Sequence, residues 1–292
     1  MANRIEKHIV PKGQSPIRLS DYCSNQFSSI PSRKGMKKAI DKGWVYLNNN
    51  LAATNSIINE KDELELRIPE TEFTRQNFKF ELKVHFEDDE IAVIEKPAGM
   101  LSSGNNLQNV ERALPFNLKS SMNSSALPYP KIAHRLDYPT SGIMLVAKTP
   151  FALSQLKNAF ALGEIKKTYL ALTPGIMSDS GEINLPIDGK PAHTSYQTIY
   201  RESAFNYEFL NLLKVKIGTG RTHQIRKHLS GIGHPILGDQ TYGNALVKMK
   251  KKGLFLHAFQ IEFIHPVSNE LMVFTSTIPK KFLKVLPNYT RN

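Results

Sequence analysis

The sequence contains very little cysteine or tryptophan, with one residue of each among 292. The single Cys23 excludes an intrachain disulfide and a zinc site built from several thiolates. Long hydrophobic runs are also missing, because the longest apolar run, residues 143–147, is far shorter than the roughly 20 residues of a membrane-spanning helix. The N-terminal residues lack the apolar stretch of a signal peptide. We therefore expect a cytoplasmic protein that does not associate with membranes.

Acidic side chains are scarce in two stretches of the chain, whose formal net charge is +12. Residues 12–43 contain seven Lys or Arg against two acids, and residues 214–252 contain nine against one. Two basic zones near opposite ends of a chain are typical of a protein that holds a polyanion at two places. The alternative is that the excess charge serves only solubility.

Motifs for metals and nucleotide cofactors are absent as well. The glycine-rich segment at residues 218–226 is not a dinucleotide fingerprint, because His223 occupies the third glycine position, and no P-loop lysine follows it. Several histidines could suggest a metal, but there is no H-E-x-x-H motif and carboxylates are rare around them. These histidines are His223, His228, His234 and His257. We therefore expect no metal and no cofactor.

Residues 16–69 resemble a self-contained module of two short helices followed by a small sheet. Met36, Ala39 and Ile40 recur at helical spacing after Ser32, a candidate N-cap. Strands are expected at residues 44–47 and 62–68, with a turn at the three asparagines 48–50. The second helix carries a basic cluster, which consists of Arg33, Lys34, Lys37, Lys38 and Lys42. Spacings of three and four place several of these cations on one face, which either binds phosphates or is simply solvated.

The remaining chain divides into a linker at residues 71–82 and a large domain at residues 83–292. Strands in this domain are expected at residues 91–94, 143–147, 168–172, 193–201, 208–217 and 257–264. Thr149 and Pro150 predict the start of a helix that ends at Gly163. A second helix is expected at residues 222–231 with Thr222 as its cap, and residues 103–130 are expected to form a polar loop. The pattern favours an α+β domain around a mixed, largely antiparallel sheet.

Three segments carry the side chains that could perform chemistry. The densest is H-R-L-D-Y-P-T-S-G at residues 134–142, a polar loop that leads directly into a buried strand and presents Asp137. Active-site residues favour such positions, although most loop aspartates only cap a turn. The second is G-T-G-R-T-H-Q-I-R at residues 218–226, in which Arg221 and Arg226 offer forked donors for carboxylate or phosphate. The third is a rigid loop at residues 233–243.

Together with three further blocks, these segments resemble the RluA-type pseudouridine synthases. Blocks at residues 87–99, 134–148, 167–172, 220–228, 233–243 and 256–266 follow the order of the family's motifs. They include its K-P-x-G turn, its H-R-L-D-x-x-T-S-G signature and its G-R-T-H-Q-I-R block. Each block alone is moderate support, but six in the same order are very hard to obtain by chance.

The resemblance implies that the protein isomerises uridine in RNA to pseudouridine without a cofactor. Asp137 would be the catalytic carboxylate, Arg221 would pair with it, and Tyr169 would stack on the uracil and assist proton transfer. Arg135 would fill the space that the extruded uridine leaves in its helix. Ile225 would support the base. His134 and Arg226 complete the expected substrate-binding set.

Residues 1–70 resemble the S4 RNA-binding module, a small α/β domain. The resemblance implies that Arg33, Lys34, Lys37 and Lys38 contact RNA. The chain departs from that module at its turn, where Asn48-Asn-Asn50 replaces Asn-Gly-Lys, although asparagine tolerates positive φ. A second departure follows Gly99, where Met-Leu-Ser-Ser replaces an apolar pair and a histidine. Both departures concern RNA contacts and leave Asp137 unaffected.

Two other functions fit parts of this pattern. A non-catalytic RNA-binding or ribosome-assembly factor could share the fold, but it would have no reason to retain Asp137, Tyr169 and Arg221 together. A nucleoside hydrolase or glycosidase usually needs a second carboxylate, which the Asp137 segment does not offer. The layout suggests a monomer that acts on large-subunit ribosomal RNA, with transfer RNA as an alternative.

Overall fold

The computed structural model describes residues 3–14, 16–23, 26–27, 29–30, 32–69, 77–204, 207–249 and 252–290. Its contacts divide the chain into two compact units, Met1–Gln76 and Asn77–Asn292. Among the described residues, no helix combines the length and the apolar character that crossing a membrane requires. Residues 71–76 of the predicted linker lie outside the described residues. Residues 77–82 belong to the large unit, where Leu82 is buried and its N–H donates to the Asn117 side chain at 2.7 Å.

The small unit consists of short elements around one sheet and one helix pair. They are β1 (Asn3–Ile9), β2 (Ile17–Arg18), α1 (Leu19–Tyr22), α2 (Arg33–Asp41), β3 (Val45–Leu47), β4 (Asn50–Leu51), β5 (Ile57–Ile58) and β6 (Glu63–Pro69). The sheet order is β1-β6-β3-β4, and β2 pairs separately with β5. Strand β1 was not predicted.

Local sequence explains the start of the predicted helix and the asparagine turn. The Ser32 hydroxyl accepts a hydrogen bond from the N–H of Gly35 at 3.1 Å, which caps α2. Asn48 and Asn49 have φ values of 48° and 65°, so they form a two-residue hairpin turn between β3 and β4. The expectation that asparagine would support this turn is confirmed.

The large unit is built around a sheet of ten strands. Its elements are β7 (Lys83–Glu87), β8 (Ile91–Lys96), α3 (Val110–Asn117), β9 (Lys131–Ile132), β10 (Ser141–Ala147), α4 (Pro150–Leu162), β11 (Lys166–Pro174), β12 (Ser180–Ile183), β13 (Thr194–Ala204), β14 (Glu208–Ile217), α5 (Gln224–Gly231), β15 (Leu256–Ile264), β16 (Leu271–Thr275) and α6 (Lys280–Leu283). The main path runs β12-β13-β14-β11-β15-β10-β8-β7, with β16 beside β15 and β9 beside β10. Only β10 and β15 pair in parallel among the described strands. The predicted mixed, largely antiparallel sheet and α+β class are confirmed.

Apolar side chains cover both faces of the sheet in its central region. Along β10, Ile143 and Leu145 contribute to one buried cluster, while Met144 and Val146 contribute to the other. Because successive side chains of a strand point to opposite faces, the two clusters lie on opposite sides of β10. A strand that is buried on both faces explains the continuous apolar run of residues 143–147.

One helix of the large unit follows the prediction and another contradicts it. Helix α4 begins with the Thr149 hydroxyl accepting from the N–H of Ala152 at 3.2 Å and ends at Gly163, as predicted. The expectation of an uninterrupted loop over residues 103–130 is wrong, because α3 lies within it. Asn109 caps α3, and apolar residues at i, i+3 and i+4 are buried. The many Asn and Ser residues around this short helix made the helical spacing of its apolar residues hard to recognise in the sequence.

Gly142 makes the parallel junction between β10 and β15 possible. It pairs with Ala258 and has a φ of 124°, which L side chains rarely adopt. A Cβ at this position would lie 2.2 Å from the carbonyl oxygen of Ala258. The glycine that ends the signature motif therefore reflects close backbone approach rather than loop flexibility.

Gly142→Ala is expected to lower the free energy of unfolding by about 3 kcal/mol or more, because both the contact and the φ value oppose a side chain. Gly220→Ala is the control, since a Cβ there meets no atom within 4 Å and the backbone has no positive φ. That variant should change the free energy of unfolding by less than about 1 kcal/mol. Denaturant titration measures both, and equal stability of the two variants would contradict the assignment.

Candidate active site

Asp137 lies on the loop between β9 and β10 and faces a cleft in the large unit. Its side chain is 26% exposed, and the N–H of Thr140 donates to its backbone carbonyl at 3.0 Å, which closes a turn. The loop therefore presents the carboxylate from a fixed turn that leads directly into the buried strand β10.

Lys96 fixes the backbone of the Asp137 loop through hydrogen bonds. Its buried ammonium donates to the carbonyl oxygens of Pro97 at 2.9 Å, Tyr138 at 3.2 Å and Thr140 at 2.7 Å. Burial lowers the pKa of Lys96 to about 8, and the nearby charge of Asp137 opposes that shift. Sequence analysis placed Lys96 only in a family motif and missed this contact. The sequence feature that could have indicated this contact is a lysine at the end of an apolar strand. A cation buried at such a position needs hydrogen-bond acceptors to replace water.

The glycine-rich segment of the second motif forms a turn that Gln224 organises. The side-chain oxygen of Gln224 accepts from the N–H of Arg221 at 3.0 Å and from the hydroxyl of Thr219 at 2.6 Å. Helix α5 begins after His223, whose φ is 55°, so the predicted cap at Thr222 is wrong. The left-handed residue reverses the chain direction before the helix starts.

The turn before α5 separates Arg221 from Arg226, and only Arg226 contacts Asp137. The expected pairing of Arg221 with Asp137 is therefore wrong. Arg221 precedes the turn, is exposed, and donates through Nε to the Pro191 carbonyl at 3.3 Å. Arg226 lies on the buried face of α5, where its side chain is 5% exposed and its Nη1 lies 3.5 Å from Oδ2 of Asp137. The carboxylate therefore faces an arginine that the helix holds, rather than one on an exposed turn.

Asp239 fixes the guanidinium of Arg226. Its two oxygens accept from Nε and Nη2 of Arg226, each at 2.8 Å, and the N–H groups of Thr241 and Tyr242 also donate to it. Burial raises the pKa of Asp239, but the hydrogen bond from Arg226 and those backbone donors outweigh it and hold the pKa below its usual value. The pair is therefore charged, and Nη1 remains available to face Asp137.

His223 and Tyr242 complete the surroundings of Asp137, and sequence analysis missed both. His223 places Nε2 3.7 Å from Oδ1 of Asp137, while its Nδ1 lies 2.9 Å from the Tyr242 hydroxyl. The Tyr242 ring also lies 5.0 Å from the guanidinium of Arg226. Both residues belong to motifs quoted from the sequence, but only the fold shows that these motifs meet.

Tyr169 lies on β11 and lines the same cleft. A shift in the register between β11 and β15 occurs between Thr168 and Tyr169. Burial raises the pKa of the Tyr169 phenol, and the charge of Asp137 raises it further. Its hydroxyl is therefore protonated at neutral pH and can donate a hydrogen bond.

The structure brings six of the seven residues predicted for the large-domain site into one cleft. These six are Arg135, Asp137, Tyr169, Arg221, Ile225 and Arg226. The seventh, His134, lines a neighbouring groove, where its Nε2 accepts from the N–H of Leu145 at 3.0 Å. Burial lowers the pKa of His134 to about 3, so the ring is neutral and supports the loop. In the part of the chain that the structure describes, no group of three or more His, Cys, Asp or Glu could hold a metal ion.

The four cations predicted on the small unit all lie on α2. Lys34, Lys37 and Lys38 are exposed, opposite the buried Met36, Ala39 and Ile40. Arg33 forms an ion pair with Asp21. Three of the four are therefore free of acidic partners within the described ranges.

Comparisons with known proteins agree on one family. The family model for RNA pseudouridylate synthases matches residues 90–231. An uncharacterized RNA pseudouridine synthase of Aquifex aeolicus is 34% identical over 92% of each chain. Ribosomal large subunit pseudouridine synthase D of Nitrosomonas europaea is 33% identical over 95% of this chain and 86% of its own. The solved structure of human RNA pseudouridylate synthase domain containing 4 is 26% identical, with a TM-score of 0.59 over 72% of this chain and 95% of its own. The chain therefore belongs to the RNA pseudouridylate synthase family and is an RNA pseudouridine synthase.

Proposed function

We propose that this enzyme converts specific uridines of large-subunit ribosomal RNA to pseudouridine, with Asp137 as catalytic carboxylate and no cofactor. The observation that carries the proposal is the composition of the cleft, in which Asp137 is the one carboxylate among the described lining residues. A cationic arginine and a histidine face its two oxygens. A neutral phenol lines the same cleft.

The reaction balances without any further reactant. The N1–C1′ bond breaks, the uracil turns, and a new bond joins C5 to C1′, after which the hydrogen on C5 is lost and N1 gains one. Asp137 acts either by attacking the nucleoside or by assisting the departure of uracil. Arg226 orients this carboxylate, because its Nη1 lies 3.5 Å from Oδ2 of Asp137 while Asp239 fixes the rest of the guanidinium.

Other cleft residues suit the remaining steps. Tyr169 offers a flat ring for the uracil and a protonated hydroxyl for proton transfer. Arg135 is exposed beside Asp137 and can occupy the space left by an extruded nucleotide. Ile225 provides an apolar contact for the base. Arg221, on the exposed side of the cleft, suits a substrate phosphate better than the Asp137 carboxylate.

The choice of ribosomal RNA rests on the relatives, several of which carry the name ribosomal large subunit pseudouridine synthase D. Transfer RNA is the alternative substrate. Mapping pseudouridines in total RNA from cells with and without this protein distinguishes the two substrates, because loss of an enzyme that acts on ribosomal RNA removes pseudouridine signals only from large-subunit RNA.

Asp137→Asn is expected to abolish pseudouridine formation while leaving the fold and RNA affinity largely unchanged. The amide keeps the size of the side chain but loses its charge, and Arg226 retains Asp239 as its partner. Nucleoside analysis of a ribosomal RNA transcript incubated with the purified variant measures the loss. Turnover by this variant would exclude Asp137 as the catalytic group, and free uracil from the unaltered enzyme would indicate hydrolysis instead.

Arg226→Lys is expected to reduce the single-turnover rate by about 100-fold, because lysine cannot hold both carboxylates in the geometry of a guanidinium. Arg221→Lys is the matched control and should cost about fivefold or less, the equivalent of one hydrogen bond of about 1 kcal/mol. Circular dichroism and denaturant titration verify that both variants fold. The reverse order of the two rates would restore Arg221 as the partner of Asp137.

We also propose that the small unit is an S4-like module that binds RNA through α2. The support is the exposed lysine face opposite the buried apolar residues of that helix. Lys34 and Lys38 are four residues apart, so their side chains lie on the same side of the helix.

The double variant Lys34→Gln/Lys38→Gln is expected to reduce the salt dependence of RNA binding by about 0.7–0.9 for each lost phosphate contact. Lys12→Gln/Lys61→Gln removes the same charge from exposed positions outside α2 and serves as the control. Binding of a ribosomal RNA transcript at several salt concentrations measures the slope. Equal slopes for the two double variants would contradict a role for α2.

A further inference from the structure

A second surface of the large unit carries positive charge outside the cleft. We name it the lysine groove, after Lys166, Lys167, Lys214 and Lys216, which line it. The first two lie on β11 and the other two on β14. Thr168, Ser195 and Gln260 provide neutral polar groups along its floor.

Two of these lysines stand in a row on one strand. Lys214 and Lys216 are two residues apart on β14, so their side chains project from the same face about 7 Å from each other. Lys216 pairs across the sheet with Thr168 and Ser195. A row of this kind can contact successive charges of an extended polyanion.

Most of this charge has no partner within the protein. Lys166 is neutralised by Glu262, with Nζ and Oε1 2.6 Å apart. No ion pair with an acidic side chain involves Lys167, Lys214 or Lys216 within the described ranges. Burial lowers the pKa of Lys167, and a bound anion would offset that effect. The lysine groove can therefore bind an anion from outside the chain.

A connecting groove joins the lysine groove to the catalytic cleft. It shares Lys167 and Gly218 with the former, and Arg135, Tyr169 and Arg221 with the latter. The exposed Lys157 adds a further cation to its wall. Lys214 and Lys216 lie on the opposite face of the sheet from Tyr169, because Lys216 pairs with Thr168 and Tyr169 pairs with Val215. An extended ligand in the cleft can therefore reach the lysine row through the connecting groove, around the start of β11 and the end of β14.

Aromatic groups accompany the cations along this path. The rings of His134 and Phe160 lie 4.6 Å apart, and Nζ of Lys167 lies 5.5 Å from the Phe160 ring. A basic groove with aromatic faces is the arrangement that binds single-stranded nucleic acid. An acidic protein segment would use the charge, but it would have no reason to follow a path that begins at Asp137.

We propose that the lysine groove binds the RNA strand on one side of the target uridine, with Lys214 and Lys216 contacting its phosphates. The inference rests on the proposed function, because it takes the Asp137 cleft as the position of that uridine. It extends the function by assigning a route for the flanking nucleotides.

The test compares two double variants with fluorescent oligouridylates of about 4 and about 12 nucleotides, the range of single-strand site sizes. Lys214→Gln/Lys216→Gln removes the row, and Lys280→Gln/Lys284→Gln removes equal charge at exposed positions of the C-terminal helix region. In the unaltered protein the longer RNA should bind more tightly. In the groove variant this gain should disappear, and the salt slope for the longer RNA should fall by about 1.4, or about 0.7 for each contact.

Each result decides the proposal. A groove variant that matches the control in slope and length dependence would overturn it. An equal loss for short and long RNA would also overturn it, because the lysines would then act outside the extended path. The binding assay does not depend on turnover, so activity that survives Asp137→Asn would refute the catalytic assignment without affecting this result.

Discussion

The buried guanidinium of Arg226 is the group on which the geometry of the cleft depends. A charge removed from water is costly unless partners replace its hydration, and Asp239 does so with two parallel hydrogen bonds. That pairing leaves one side of the guanidinium to face Asp137, and Tyr242 packs over it. Two loops that are far apart in sequence thus meet around one helix residue, because Asp137 lies on one of them while Asp239 and Tyr242 lie on the other.

A second cation supports the backbone of the same loop. Arg226 orients the carboxylate of Asp137, whereas Lys96 donates to the carbonyl oxygens of Tyr138 and Thr140, which follow it in the loop. Side chain and backbone are therefore fixed by different groups from different elements. A carboxylate that is held in this manner needs little rearrangement when charge develops beside it. Water would have to reorient around such a charge, so a preorganised site stabilises a transition state better than water does.

The sequence predicted the fold class, the cleft and most of its lining, because each depends on a local motif in a regular strand or helix. It could not decide between Arg221 and Arg226, which occupy one motif and differ only in their position relative to the left-handed residue His223. It also missed α3, whose three buried apolar residues lie within an Asn- and Ser-rich stretch. The role of His223 beside Asp137 depended on a meeting of distant loops that no local pattern encodes.

The position of β15 in the sheet has a consequence for how the enzyme is made. Strand β15 lies between β10, which follows the Asp137 loop, and β11, which carries Tyr169. The parallel junction at Gly142, with the Ser141 hydroxyl 2.8 Å from Nδ1 of His257, joins residues more than a hundred positions apart. Translation must therefore deliver Leu256–Ile264 before the aspartate and the tyrosine can occupy their places in one sheet. With the roles proposed for Asp137 and Tyr169, a nascent chain gains activity only after Leu256–Ile264 has emerged from the ribosome.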